Sequence, residues 1–174
     1  MIGYRHCDPR YPFLWEDGTQ PAARWHGDGG GPVHYLADTP TGAWAEFLRH
    51  EEITDVEDLL TIRRAIWAVE FDAADCDRVD LPDSVLTGGK SSYPRCRAEA
   101  ARMEAAGSHG LRARSAALLR GGANGQIVDA GLRDAGPRDG VVHALFGRRP
   151  HLEGWRVAHD ARPHSEVLDR VRHF

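Results

Sequence analysis

An α+β fold, a mixed sheet core with flanking helices, is predicted by three features of the sequence. Residues 63–71, RRAIWAVEF, alternate with Ala65, Trp67, Val69 and Phe71 on one side, which is the period of a sheet-lining strand. Two segments carry helix signals at their ends. Strands and helices then follow one another without the regular alternation of a doubly wound parallel sheet.

Taken in order, residues 4–32 hold many of the prolines and glycines and end in Gly27-Asp28-Gly29-Gly30-Gly31-Pro32, which no regular element tolerates. This segment is expected to be loop, interrupted by a short Ala22–Trp25 strand. Val33–Ala37 reads as a strand, and Thr39 as cap with Pro40 at the first helical position starts a helix to about His50. Ala43, Trp44, Phe47 and Leu48 make its apolar face, with Glu46 near the edge. A short Val79–Leu81 strand follows the strand at 63–71. Tyr93–Ala106 is dense in alanine, arginine and glutamate, starts beside Pro94 and closes at Gly107, so a second helix is predicted there. Strand-like runs at Leu111–Leu119, Gly125–Val128, Val141–Phe146 and Trp155–His159 complete the core, and Glu166–Phe174 is expected to form a short helix.

With 174 residues the chain is the size of one domain, 1–174, able to bury a core without a staple. A net charge of −4 argues against a purely electrostatic nucleic-acid binder, so direct nucleic-acid binding is not expected. Cys7, Cys76 and Cys96 are odd in number and scattered, describing neither a disulfide framework nor a zinc knuckle. No stretch approaches 18 consecutive apolar residues, and MIGYRHCDPRYPFLW lacks the basic cluster, apolar core and cleavage site of a signal peptide. No membrane association and a cytoplasmic location are therefore expected. Of the 22 basic residues only Lys90 is lysine, so phosphate recognition would rest on guanidinium groups or backbone amides.

Several apparent motifs fail on spacing. The Gly27–Gly31 run precedes a strand, whereas a dinucleotide fingerprint needs glycines between a strand and a helix. Gly88-Gly89-Lys90-Ser91 resembles the end of a phosphate-binding loop, but Ser84 stands where its first glycine is required. His50-Glu51 has Thr54 where a helical zinc site needs its second histidine, and no metal is expected.

The informative residues are Arg24-Trp25-His26-Gly27, Tyr35-Leu36-Ala37-Asp38-Thr39, then Ala43-Trp44-Ala45-Glu46 and His50. In order and spacing they resemble the RES-domain family, named for an arginine, a glutamate and a serine. Gly110–Ala116 looks like the family's serine strand, with Ser115 as the serine and Asn124 as the asparagine that often follows. Arg114 stands where the family commonly has proline before that serine. Val142–Gly147 and Leu152–Arg156 are similar to its closing strands, so the resemblance spans roughly residues 22–159.

The resemblance implies an ADP-ribosyltransferase-like fold and the toxin half of a toxin–antitoxin pair. It also implies an activity that degrades NAD by cleaving the nicotinamide–ribose bond, with water or inorganic phosphate as acceptor. NAD would be substrate, with no further cofactor. The implied partner is a small helix-turn-helix antitoxin, and a homo-oligomer within that complex is a further arrangement it allows. Arg24, Glu46 and Ser115 would be catalytic, and Arg24, Tyr35, His26 and Asn124 would bind substrate. The residue chemistry agrees. A carboxylate beside the ribose stabilises positive charge developing on the sugar, the neutral nicotinamide leaves without a strong acid, and a guanidinium grips pyrophosphate with two hydrogen bonds. Two rival readings are transfer of ADP-ribose to a macromolecule, and a non-catalytic interaction module.

Overall fold

The computed structural model describes residues 1–17 and 19–174. Among the described residues, nine strands and four α-helices run in the order β1 (Ile2–Cys7), β2 (Val33–Ala37), α1 (Pro40–His50), α2 (Val56–Leu59), β3 (Arg64–Glu70) and β4 (Cys76–Arg78). Then come α3 (Asp83–Leu86), α4 (Tyr93–Ala105), β5 (Gly110–Arg114), β6 (Gln126–Val128), β7 (Leu132–Asp134), β8 (Val141–Phe146) and β9 (Gly154–Ala161). Seven strands form one mixed sheet, ordered β4-β5-β8-β2-β1-β3-β9, and β6 and β7 make a separate hairpin. Only β4 and β5 are parallel within the large sheet. The α+β class is as predicted.

The local signals explain the elements that match expectation. Thr39 caps α1 by accepting from the Gly42 amide at 3.0 Å, with Pro40 following it. In α4, Cys96, Ala100 and Met103 recur at helical spacing and turn toward the sheet. There they join Leu111, Ala113, Ala144 and Phe146 of β5 and β8. Over the other half of the sheet, Phe47 and Leu48 of α1 pack with Ile66, Leu59 and Val167. The opposite face, carrying Leu36, Val69 and Leu145, is covered by Phe13 and Leu152 from loops.

Five expectations are corrected. Residues 4–7 are not loop but most of β1, an interior strand paired with β3 over six positions. Its polar run Tyr4-Arg5-His6-Cys7 hides the strand, and Gly3 is needed because a Cβ there would lie 2.8 Å from Leu36 Cβ. Ala22–Trp25 is loop: Ala23 N–H turns back onto the His26 carbonyl, and Tyr35 takes the Trp25 amide. The strand expected at Val79–Leu81 lies at β4, although the Val79 amide still bonds the Arg112 carbonyl. The run to Leu119 stops at Arg114, and the tail forms a 3-10 turn over Ser165–Arg170.

One irregularity positions everything that follows. β1 and β2 are neighbours, yet they share a single paired position, Tyr4 with Ala37. On their outer sides both are fully laddered, β1 to β3 and β2 to β8. Beyond that rung the two central strands part.

Burial lowers the pKa of His6 (to about 3), His26, His34 and His143. A histidine held neutral in the fold contributes stability above its unfolded pKa of about 6.5, and that stability is lost as pH falls toward the folded value. Each such group contributes at most about 1.4 kcal/mol per pH unit. Glu46, raised by burial, acts in the opposite sense. Urea unfolding should therefore show clearly lower stability at pH 5 than at pH 7; equal midpoints would show that these histidines are not held neutral.

Candidate active site

The gap between β1 and β2 opens into a cavity of about 350 Å³, within the size range of small-ligand sites. Tyr4, Arg5 and His6 line one wall and Tyr35, Leu36 and Ala37 the other. α1 contributes Ala43, Glu46, Arg49 and His50, whose spacing places them on one helical stripe. The loop before β2 covers the rest, through Gln20, Arg24 and His26 among others.

Among the described residues, Glu46 is the only acidic side chain on this lining. The Ser115 hydroxyl donates to Glu46 Oε1 at 2.8 Å and accepts from the Ala117 and Leu118 amides, each at 3.2 Å. One donor and two acceptor positions exhaust a hydroxyl, so Ser115 is committed to holding Glu46. It stands behind the carboxylate and does not itself line the cavity. The same bonds end the strand, because amides that continue a ladder would face β8, whereas these fold back on Oγ. Burial pushes the Glu46 carboxyl up, while the Ser115 hydrogen bond and the charges of Arg24 and Arg49 pull it down.

Arg24 is buried, with its guanidinium over the Tyr93 ring at 4.7 Å. Its Nη2 donates to the Gly88 carbonyl at 2.7 Å and its Nη1 to Ser92 Oγ at 3.0 Å. Tyr35 donates to His26 Nδ1 at 3.0 Å, an assignment that follows because His26 Nε2 lies 2.9 Å from the Pro21 carbonyl and must carry its proton toward it. Both ring nitrogens of His26 are thereby used, and its role is to fix Tyr35 and the loop. Asn124 lies outside the cavity lining, with its Oδ1 accepting from Arg170 at 2.8 Å. Of the six residues expected from sequence, the fold brings Arg24, His26, Tyr35 and Glu46 to one cavity and seats Ser115 behind Glu46.

Two site residues were not foreseen. Arg5 lies on the β1 wall, where Nε and Nη1 are buried without a hydrogen-bond partner. Burial lowers its pKa, yet arginine remains charged in proteins, so the wall presents an unmatched cation. Arg49, 3% exposed, bonds three carbonyls. In a chain with 21 arginines no single one stands out; only the β1 strand assignment would have flagged Arg5.

The chain matches the RES domain over residues 3–138, which takes in nearly all of β1, the cavity residues Arg24, Tyr35 and Glu46, Ser115 and the β6–β7 hairpin. It belongs to the RES domain family. No curated protein matches the chain. The match begins within β1, ahead of the segment from Ala22 in which the resemblance was first legible, and so includes Arg5. Membership of the RES family is consistent with a toxin–antitoxin module. Among the described residues of this RES domain, no helix is long and apolar enough to cross a membrane.

Proposed function

We propose that this RES domain is an enzyme that degrades NAD, and that it is the toxin of a pair restrained by a helix-turn-helix antitoxin. The observation that carries the reading is the Ser115–Glu46 pair: one oriented carboxylate, in a cavity whose other charged side chains, among the described residues, are cationic. Splitting the bond between nicotinamide and C1 of the ribose leaves positive charge on the sugar, and a fixed carboxylate at that point stabilises the transition state more than the ground state. The electron pair leaves with the nicotinamide nitrogen, which becomes neutral and needs no proton. Glu46 must be ionised to act, and Arg24 and Arg49 favour that form against burial.

The unmatched guanidinium of Arg5 suits an anion such as the pyrophosphate, whose oxygens would supply the acceptors that the protein withholds. Arg24, already tied to Gly88 and Ser92, has fewer donors left and contributes mainly as a nearby charge. Tyr35, with its hydroxyl engaged by His26 and Trp25, offers its ring face for stacking on the nicotinamide. Water attacking C1 yields ADP-ribose and releases one proton; inorganic phosphate yields the 1-phosphate ester instead.

Incubating the pure protein with NAD, with and without phosphate, and identifying products by mass tests this. Free nicotinamide together with ADP-ribose or its phosphate ester is the expected result. Intact NAD under all conditions would refute the reading, and ADP-ribose attached to an added protein or nucleic acid would replace it with a transferase.

A further inference from the structure

The Gly88-Gly89 turn, which the failed phosphate-loop motif left without a role, is where two of the cavity's arginines meet. The Gly88 carbonyl accepts from Arg24 Nη2 at 2.7 Å and from Arg49 Nη2 at 2.9 Å. Two guanidinium groups on one oxygen repel each other, which makes this an expensive arrangement for packing alone. Arg49 then reaches elsewhere with Nη1, to the Ala116 carbonyl at 2.5 Å and the Arg172 carbonyl at 2.8 Å, while its flat face lies 4.4 Å from the Phe174 ring centre. Ala116 is the residue between Ser115, which holds Glu46, and the Ala117 amide that holds Ser115. Arg49 itself sits three residues after Glu46 on the same helical stripe.

Resting on the NAD-cleaving reading of the site, we propose that Arg49 is its positioning residue, locking the Ser115 turn and the Gly88 turn to α1 so that Glu46 and Arg24 keep one working arrangement. A lysine in its place supplies a charge but cannot span three carbonyls in two directions, because the planar fork does that work. Gly88 belongs to the same device: a Cβ there would lie 2.7 Å from the Ser84 carbonyl oxygen, so a larger residue must turn the peptide whose carbonyl both arginines grip.

The charge of Arg49 acts on Glu46 as well as its geometry. The groups facing Glu46 are Arg24 from the loop before β2, Tyr35 from β2, Ser115 from the turn after β5, and Arg49 from its own helix. Burial opposes ionisation; Arg24, Arg49 and the Ser115 hydroxyl favour it, and Tyr35 stays a neutral phenol. Removing Arg49 therefore raises the Glu46 pKa, whereas a lysine leaves it near its present value.

The experiment measures NAD consumption and, independently of any activity, the titration of the Glu46 carboxyl by carbon NMR, its signal assigned by loss in Glu46→Gln. In the full chain, Arg49→Lys is expected to lower kcat by about tenfold or more with KM for NAD within about twofold, since Arg49 aligns groups rather than holding substrate. Its Glu46 titration should not move. Arg49→Gln should lower kcat similarly and move the Glu46 titration, and with it the acid limb of the rate profile, upward by roughly one pH unit. Should Arg49→Gln fail to fold, Gly88→Ala takes its place, with the same kcat loss expected and the titration unmoved. Unchanged kcat in Arg49→Lys or in Gly88→Ala, or a KM that rises in step with the loss, would overturn the proposal. Wild-type protein inactive toward NAD would remove the reading beneath it, and the titration in Arg49→Gln would still decide whether Arg49 governs Glu46.

Discussion

Glu46→Gln should abolish nearly all turnover of NAD, by at least about a hundredfold, while leaving the fold intact. Glutamine keeps the length and one oxygen that can accept from Ser115 at the position now measured at 2.8 Å. It removes the negative charge that opposes the developing charge on the ribose, and losing one such contact costs on the order of 3 to 4 kcal/mol in activation free energy. Stability should change little and in the favourable direction, because an ionised carboxylate pushed upward in pKa by burial is replaced by a neutral amide. Steady-state kinetics and thermal unfolding of the same sample separate the two roles. Retained turnover would refute Glu46 as the catalytic carboxylate.

Arg5→Met is expected to strengthen the fold and weaken the site. The guanidinium has Nε and Nη1 buried without partners, so the native chain carries the desolvation of a cation with nothing returned by the protein. An unbranched apolar side chain of similar reach removes that penalty, and unfolding should become less favourable by about 1 to 3 kcal/mol. For a chain of this size that is a rise in Tm of roughly 2 to 4 °C for each kcal/mol. The same change withdraws charge-assisted hydrogen bonds from a bound pyrophosphate, each worth about 1.5 to 3 kcal/mol, so affinity for NAD should fall at least tenfold. Calorimetric unfolding and binding titration with ADP-ribose read the two effects. A variant that loses stability and binds equally well would mean that Arg5 has a structural partner and no ligand.

Much of the fold and of the site is legible in the sequence, for identifiable reasons. α1 and β2 announced themselves through Thr39, Pro40 and the apolar run Val33–Ala37, because caps and periodicity are local and act whatever the tertiary setting. Glu46 and Tyr35 were found because their order along the chain carries family information. β1 was missed for the reason that makes it useful: an interior strand that turns Tyr4, Arg5 and His6 to a cavity lacks the apolar alternation that marks one facing a core. The end of β5 at Arg114 depends on where a hydroxyl points, and spacing does not encode that. Asn124 was reached by family order alone, and its contact with Arg170, 46 residues further on, is a tertiary fact.

The single rung between β1 and β2 also governs how the chamber behaves when nothing fills it. Each wall is a strand whose other edge is stitched along most of its length to a neighbour, β3 on one side and β8 on the other. Closing the chamber would require tearing one of those seams, and widening it would require breaking the rung. The opening is thus part of the masonry rather than the work of a door. A ligand entering it pays little for ordering the walls and meets them already spaced, whereas the loop carrying Arg24 and His26, tied to the rest of the fold through side chains such as Arg24 and His26 rather than by a strand ladder, is the part left to adjust.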